Sequence, residues 1–234
     1  MFDVRLIIQM TFGPYNRPLH TLALLTAAAT FPLIFMGGLV TSHGAGMSVP
    51  DWPNSYGYNM FTFPPSKWIG GIFYEHTHRL MGTVVGVLAT LIFLCVWAWG
   101  RNAVTRRWLA VSGTALGLVT LATFGVSFVR DHHLSELIGF VAFVLVGASL
   151  FRRRESRRSV RWLATGVLGA VIFQGVLGGL RVVMVELDLA IVHACFAQAF
   201  FCLAALTAVV TSRWWQAQGG ATRPVVAWAS RPSF

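Results

Sequence analysis

Acidic side chains are scarce in this sequence, with 8 Asp and Glu in 234 residues against 18 Lys and Arg. Charged residues of both signs make up only 11% of the chain, whereas 56% is hydrophobic. That balance excludes a disordered or highly solvated protein. Cysteine is nearly absent too. Cys95, Cys195 and Cys202 lie inside apolar runs and form no CxxC or CxxCH pattern. A disulfide framework, a zinc knuckle and thioether attachment of a prosthetic group are therefore excluded, and all three thiols read as small buried hydrophobes. The net charge of +10 raises the question of nucleic acid. The basic residues, however, stand in short clusters between apolar runs, where positive charge sets membrane topology instead. No nucleic-acid partner is expected.

What the chain has in quantity is long apolar runs. A membrane span needs about 20 such residues, and runs of that kind occupy 20–42, 75–99, 108–129, 134–151, 162–183 and 189–212. The expected fold is all-α, a polytopic transmembrane helix bundle of about six spans forming one domain over 1–234. Arg5 and Arg17, then Arg101, Arg106 and Arg107, then Arg152, Arg153, Arg154, Arg157, Arg158 and Arg161, and finally Arg213 fall in alternate connections. The others hold only Lys67, Arg130 and Arg181. By the positive-inside rule both termini are cytoplasmic and the loops at 43–74, 130–134 and 184–188 face outward. A multi-pass protein of the cell inner (plasma) membrane, in contact with membrane lipid, follows. Arg17 leads into a run long enough to span, so the first segment reads as a retained helix rather than a leader.

The first outer loop is rich in turn formers and aromatics, from Pro50-Asp51-Trp52-Pro53 through Tyr56, Tyr58, Phe61, Phe63 and Trp68. Such residues favour the headgroup region, so the loop is expected to fold back as a cap. An ordinary aromatic belt explains Trp68 and Tyr58, but not a carboxylate between two prolines. Glycines cluster at Gly37-Gly38, at Gly82 with Gly86, and at Gly175 with Gly178-Gly179. They fit close helix approach and clearance for a flat macrocycle equally well.

The stretch Tyr74-Glu75-His76-Thr77-His78-Arg79 places ionisable groups at the mouth of the second span. Each costs about 2.5–3.5 kcal/mol in a bilayer and calls for a function. Glu75 and His78 share a helix face, whereas His76 points elsewhere, toward the surface or the loop. His193 enters the last span from the same side and at similar depth, so His78 and His193 are candidate axial ligands of one haem iron. The bland alternative is an interhelical hydrogen bond at each. His43, His132 and His133 are weaker candidates in outer loops, and His20 lies at the inner end. Glu75 is either a helix-terminus charge paired with Arg79 or a group that moves protons beside the iron.

Five segments resemble motifs of the haem A synthase family, in that family's order: Gly37-Gly38-Leu39-Val40, Asp51-Trp52-Pro53, Glu75-His76-Thr77-His78-Arg79, Gln174 through Val182, and Val192-His193-Ala194-Cys195-Phe196-Ala197-Gln198. The resemblance covers 20–100 and 162–212 as a four-helix core and leaves 105–151 as an inserted helical hairpin. It implies oxidation of the C8 methyl of haem O, as substrate, to the formyl of haem A for cytochrome c oxidase biogenesis. In that reading Glu75 is the catalytic carboxylate, His78 and His193 are the axial ligands, and Arg79 and Arg181 reach haem propionates. A membrane electron donor, unidentified, supplies electrons. The family's second half, which holds a haem b, has no counterpart among the motifs here, so a homodimer or a second-half partner is implied. The alternative is a non-catalytic bis-histidine b-type haem protein, an electron carrier or haem-holding assembly factor.

Overall fold

The computed structural model describes residues 13–97, 102–126, 133–151 and 155–221, with side-chain surroundings for these apart from 119–137 and 219–221. Arg5, Arg101, Arg130, His132, Arg152, Arg153 and Arg154 lie outside the described residues. Among the described residues seven helices follow in order: α1 (Arg17–Ser42), α2 (Gly71–Trp97), α3 (Ala103–Val126), α4 (His133–Leu150), α5 (Arg158–Met184), α6 (Leu187–Thr211) and α7 (Arg213–Ala221). One 3-10 turn, Pro65–Lys67, interrupts the connection from α1 to α2.

Among the described residues, four helices are long and apolar enough to cross a membrane, namely α1, α2, α5 and α6. The shortest of these, 25 residues, extends farther than the hydrocarbon thickness of about 30 Å. Polar groups inside them are satisfied locally, as hydrocarbon demands. The hydroxyls of Thr26, Thr30, Thr90, Thr207 and Thr211 each donate to the carbonyl four residues earlier, at 2.7–2.8 Å. Asn16 caps α1 by accepting from the Leu19 amide, with proline in the first turn.

The four long helices close a ring in which α1 and α5 each pack on both α2 and α6. Its apolar core includes Leu19 and Ala23, Val85 and Ile92, Val160 and Val167, and Phe200. These positions occupy the half of the bundle away from the histidines, called the inner half here. α3 and α4 pack on each other and reach the ring through α2. Small residues permit both contacts. A Cβ on Gly113 would lie 2.9 Å from the Val146 amide of α4, and one on Gly147 would lie 2.9 Å from Leu94 of α2.

The cysteine expectation holds for one residue of three. Cys95 is buried, but Cys195 and Cys202 lie exposed on α6. An outward position on an apolar helix suits a small apolar side chain as well as a core does.

Between α5 and α6 the chain turns in two residues, and Val185 takes a left-handed backbone at φ 56°. A β-branched side chain is strained there, by about 1–2 kcal/mol relative to glycine. Val185→Gly should therefore raise the unfolding midpoint in detergent by a few degrees. An unchanged or lower midpoint would show that the turn is not strained.

Candidate functional site

The long connection after α1 folds onto the outer end of the ring and organises its polar residues. Its tip is a two-residue hairpin in which Ser55 and Tyr58 exchange backbone hydrogen bonds and both central residues have positive φ, Tyr56 at 52° and Gly57 at 74°. That is the type I′ geometry, costly for Tyr56. The Asp51 carboxylate accepts from both central amides, at 2.7 and 2.8 Å, which accounts for a carboxylate between two prolines. His76 is fully buried beneath this hairpin. Its Nδ1 lies 3.2 Å from the Ser55 hydroxyl, and Phe63 and Trp68 pack against its ring. Of the two sequence alternatives for His76, the structure shows the loop contact and not a surface position.

Glu75 and Arg79, one turn apart on α2, fasten the loop. The Arg79 guanidinium donates to the carbonyls of Val49, Asp51 and Asn54 and to Glu75, at 2.6–3.0 Å. The second carboxylate oxygen of Glu75 accepts from the Val49 amide at 2.9 Å. Both side chains are largely buried, at 5% and 10% exposure. From there the loop crosses to α5. Trp52 seats on Gly179, where a Cβ would fall 2.5 Å from the indole, and Gly46 lies directly against the Arg181 guanidinium. No local sequence signal joins Trp52 to Gly179, because the contact spans most of the chain.

Below this cap the structure brings His78 and His193 together from diagonally placed helices, with ring centres 6.4 Å apart and planes at 84°. Each ring packs on a glycine of the neighbouring helix. A Cβ on Gly37 would lie 3.1 Å from Cε1 of His78, and one on Gly178 would lie 3.2 Å from Cε1 of His193. The Gln174 side-chain amide, one turn before Gly178, donates to the His193 carbonyl at 3.1 Å. Yet both Nδ1 atoms are buried without a well-formed hydrogen bond among the described residues. Arg181 acts electrostatically on both rings, and Arg79 on His78.

These features fit a metal held between the rings. Imidazole–metal bonds of about 2.0–2.1 Å on opposite sides of one ion place ring centres roughly 6.3 Å apart. The two buried Nδ1 atoms without a hydrogen-bond partner among the described residues belong to rings that have nitrogen available for a metal. Among the described residues no group of three or more His, Cys, Asp and Glu could hold a metal ion. Two imidazoles alone need a ligand that brings its own in-plane donors, as a tetrapyrrole does.

The remaining candidates stay apart from this pair. His43 stacks on Tyr74 at 4.3 Å, His20 lies 3.3 Å from the Thr211 hydroxyl at the inner end, and His133 begins α4.

Comparison with known proteins finds a curated relative, the haem A synthase of Shouchella clausii (strain KSM-K16), 29% identical over 99 residues. The match takes in 41% of this chain and 31% of the relative, so it spans less than a third of that protein's length. No family model and no solved structure matches. The chain is thus distantly related to haem A synthases, and its four apolar helices accord with a membrane protein.

Proposed function

We propose, starting from that distant relationship, that this chain is a haem-dependent membrane oxidoreductase. It converts the C8 methyl of haem O to the formyl of haem A for cytochrome c oxidase. The observation that carries the reading is the His78–His193 pair, 6.4 Å between ring centres, each ring backed by a glycine of the neighbouring helix. The bound haem would supply redox chemistry with molecular oxygen at its iron. His78 and His193 would hold that iron. Arg181, half-buried under the loop, is available to a propionate, whereas Arg79 is committed to three loop carbonyls and Glu75. The cap keeps water from the outer end. The topology that goes with this reading has six spans in the plasma membrane, with cytoplasmic termini. Electrons come from a membrane donor, directly or through a second copy or a haem b partner.

A second reading is favoured by one specific observation. Both carboxylate oxygens of Glu75 are engaged, by the Val49 amide and by Arg79, which suits a structural carboxylate in a non-catalytic bis-histidine haem protein. Glu75→Gln separates the two, because the amide oxygen still accepts from Val49 while the negative charge is lost. Expression with a haem O supply, followed by extraction and chromatography of the pigment, is the measurement. The enzyme reading expects hydroxylated or formylated haem from the wild type and none from Glu75→Gln, with haem still bound. Unmodified haem from both proteins would leave only the second reading.

A further inference from the structure

The cap covers one flank of a pseudo-symmetric bundle and leaves the related flank open. Gly37 stands to His78 as Gly178 stands to His193, so α1 with α2 corresponds to α5 with α6. The correspondence extends one residue further, from Gly179 to Gly38. Gly179 is buried under Trp52, whereas Gly38 is exposed, and a Cβ built on it meets no described atom within 4 Å. The reason is covalent. The loop that covers Gly179 follows α1, while the corresponding connection after α5 is only the Val185-Glu186 turn, too short to cover anything.

Side chains on the α1–α6 seam sharpen the point. Phe31 of α1 touches Phe201 of α6, with ring centres 6.4 Å apart. Two turns toward the histidine end, the same faces carry Gly38 on α1 and Ala194 on α6, since the helices run antiparallel and residues seven apart share a face. Both positions are exposed, as are Phe35 and Ile191 beside them. On the outer surface of the seam two phenyl rings thus meet farther from the histidines, Phe31 being 67% exposed, and small residues stand on the same faces at the level of the histidines. The flank toward α2 and α5 is instead sealed by Trp52 and the loop.

We infer that the outer halves of α1 and α6 form a lateral entrance, open to the hydrocarbon phase, through which a lipophilic tetrapyrrole reaches His78 and His193. Its long apolar substituent lies along Gly38 and Ala194. This rests on the haem reading above. A ligand that partitions into lipid arrives from the side, and a small-residue gap over a floor of two phenyl rings accepts an isoprenoid chain without displacing any polar group.

The test is stopped-flow uptake of haem b and of haem O from phosphatidylcholine vesicles by apo-protein in nanodiscs, followed at the Soret band. Gly38→Trp and Ala194→Trp, which fill the gap, should each slow uptake and release several-fold and leave the final spectrum unchanged, with the larger effect for haem O. Trp52→Ala, which opens the capped flank, should change uptake much less. Unaltered rates in both filled variants, or a large acceleration in Trp52→Ala alone, would overturn the entrance. Wild-type protein that acquires no bis-imidazole Soret band would instead remove the haem reading itself. A folding failure of one filled variant is recognised by its unfolding midpoint and leaves the other variant to decide.

Discussion

Alanine at both His78 and His193 is expected to abolish low-spin haem absorption in the purified protein, and alanine at either one to convert it to a weakly held, five-coordinate form. The expectation comes from geometry. The two rings sit on diagonal helices with their centres 6.4 Å apart, so neither can be replaced by another histidine. His76 is enclosed by Ser55, Phe63 and Trp68, and His43 is stacked on Tyr74. Disturbing an outer-shell partner of a metal ligand typically costs about 10–100-fold in affinity, and loss of the ligand itself should exceed that. Soret and α-band spectra, with pyridine haemochrome quantification against protein, make the measurement. A double variant with wild-type absorption would mean that the imidazoles only join helices.

Arg79→Leu should produce the largest loss of stability available from one substitution at the outer end. It leaves the Glu75 carboxylate buried without its cation and strands three loop carbonyls, of Val49, Asp51 and Asn54. Breaking a buried ion pair from one side costs about 3–5 kcal/mol. Arg79→Lys keeps the charge but cannot reach four acceptors at once, so it should fall between leucine and the wild type. Thermal unfolding in detergent reports the loss. Limited proteolysis within the 43–70 connection localises it, because a released loop is cut before the helices unfold. Equal midpoints and equal cleavage for Arg79→Leu and the wild type would show that the loop is held by other contacts.

The histidine pair was legible because depth in a bilayer can be read along the chain. Two spans that both enter from the outer side bring residues near their N-terminal ends to one level, and His78 and His193 each stand there. The glycines were ambiguous, and the structure divides them by position. Gly37 and Gly178 make room for imidazoles and Gly179 for an indole, while Gly82, Gly86 and Gly175 meet no described atom. No periodicity distinguishes these roles, since each depends on what another segment presents.

Glu75 shows the same limit. Its neighbours on α2 gave a helix charge paired with Arg79, or a group near the iron. The loop amide that takes its second oxygen is 26 residues away and follows no repeat. The aromatic loop was recognisable as a cap, but its crossing to α5 was not. Of the six apolar runs, four are long apolar helices among the described residues. α4, His133–Leu150, is shorter than those four at 18 residues, and α3 opens with Arg106 and Arg107 amid Thr, Ser and Gly.

The point where the chain leaves the four-helix ring and the point where it returns are neighbours. Trp97, the last residue of α2, donates its indole N–H to Thr165 of α5 at 3.2 Å, and the Arg161 guanidinium lies 5.2 Å above the Trp97 ring. The α3–α4 hairpin is therefore a detour that starts and finishes in one place. His78 and Gly178 sit at the far ends of those same two helices, so the spacing of the histidine chamber is set without reference to what the detour contains. Changes within that hairpin are therefore expected to leave the spacing of His78 and His193 unaltered.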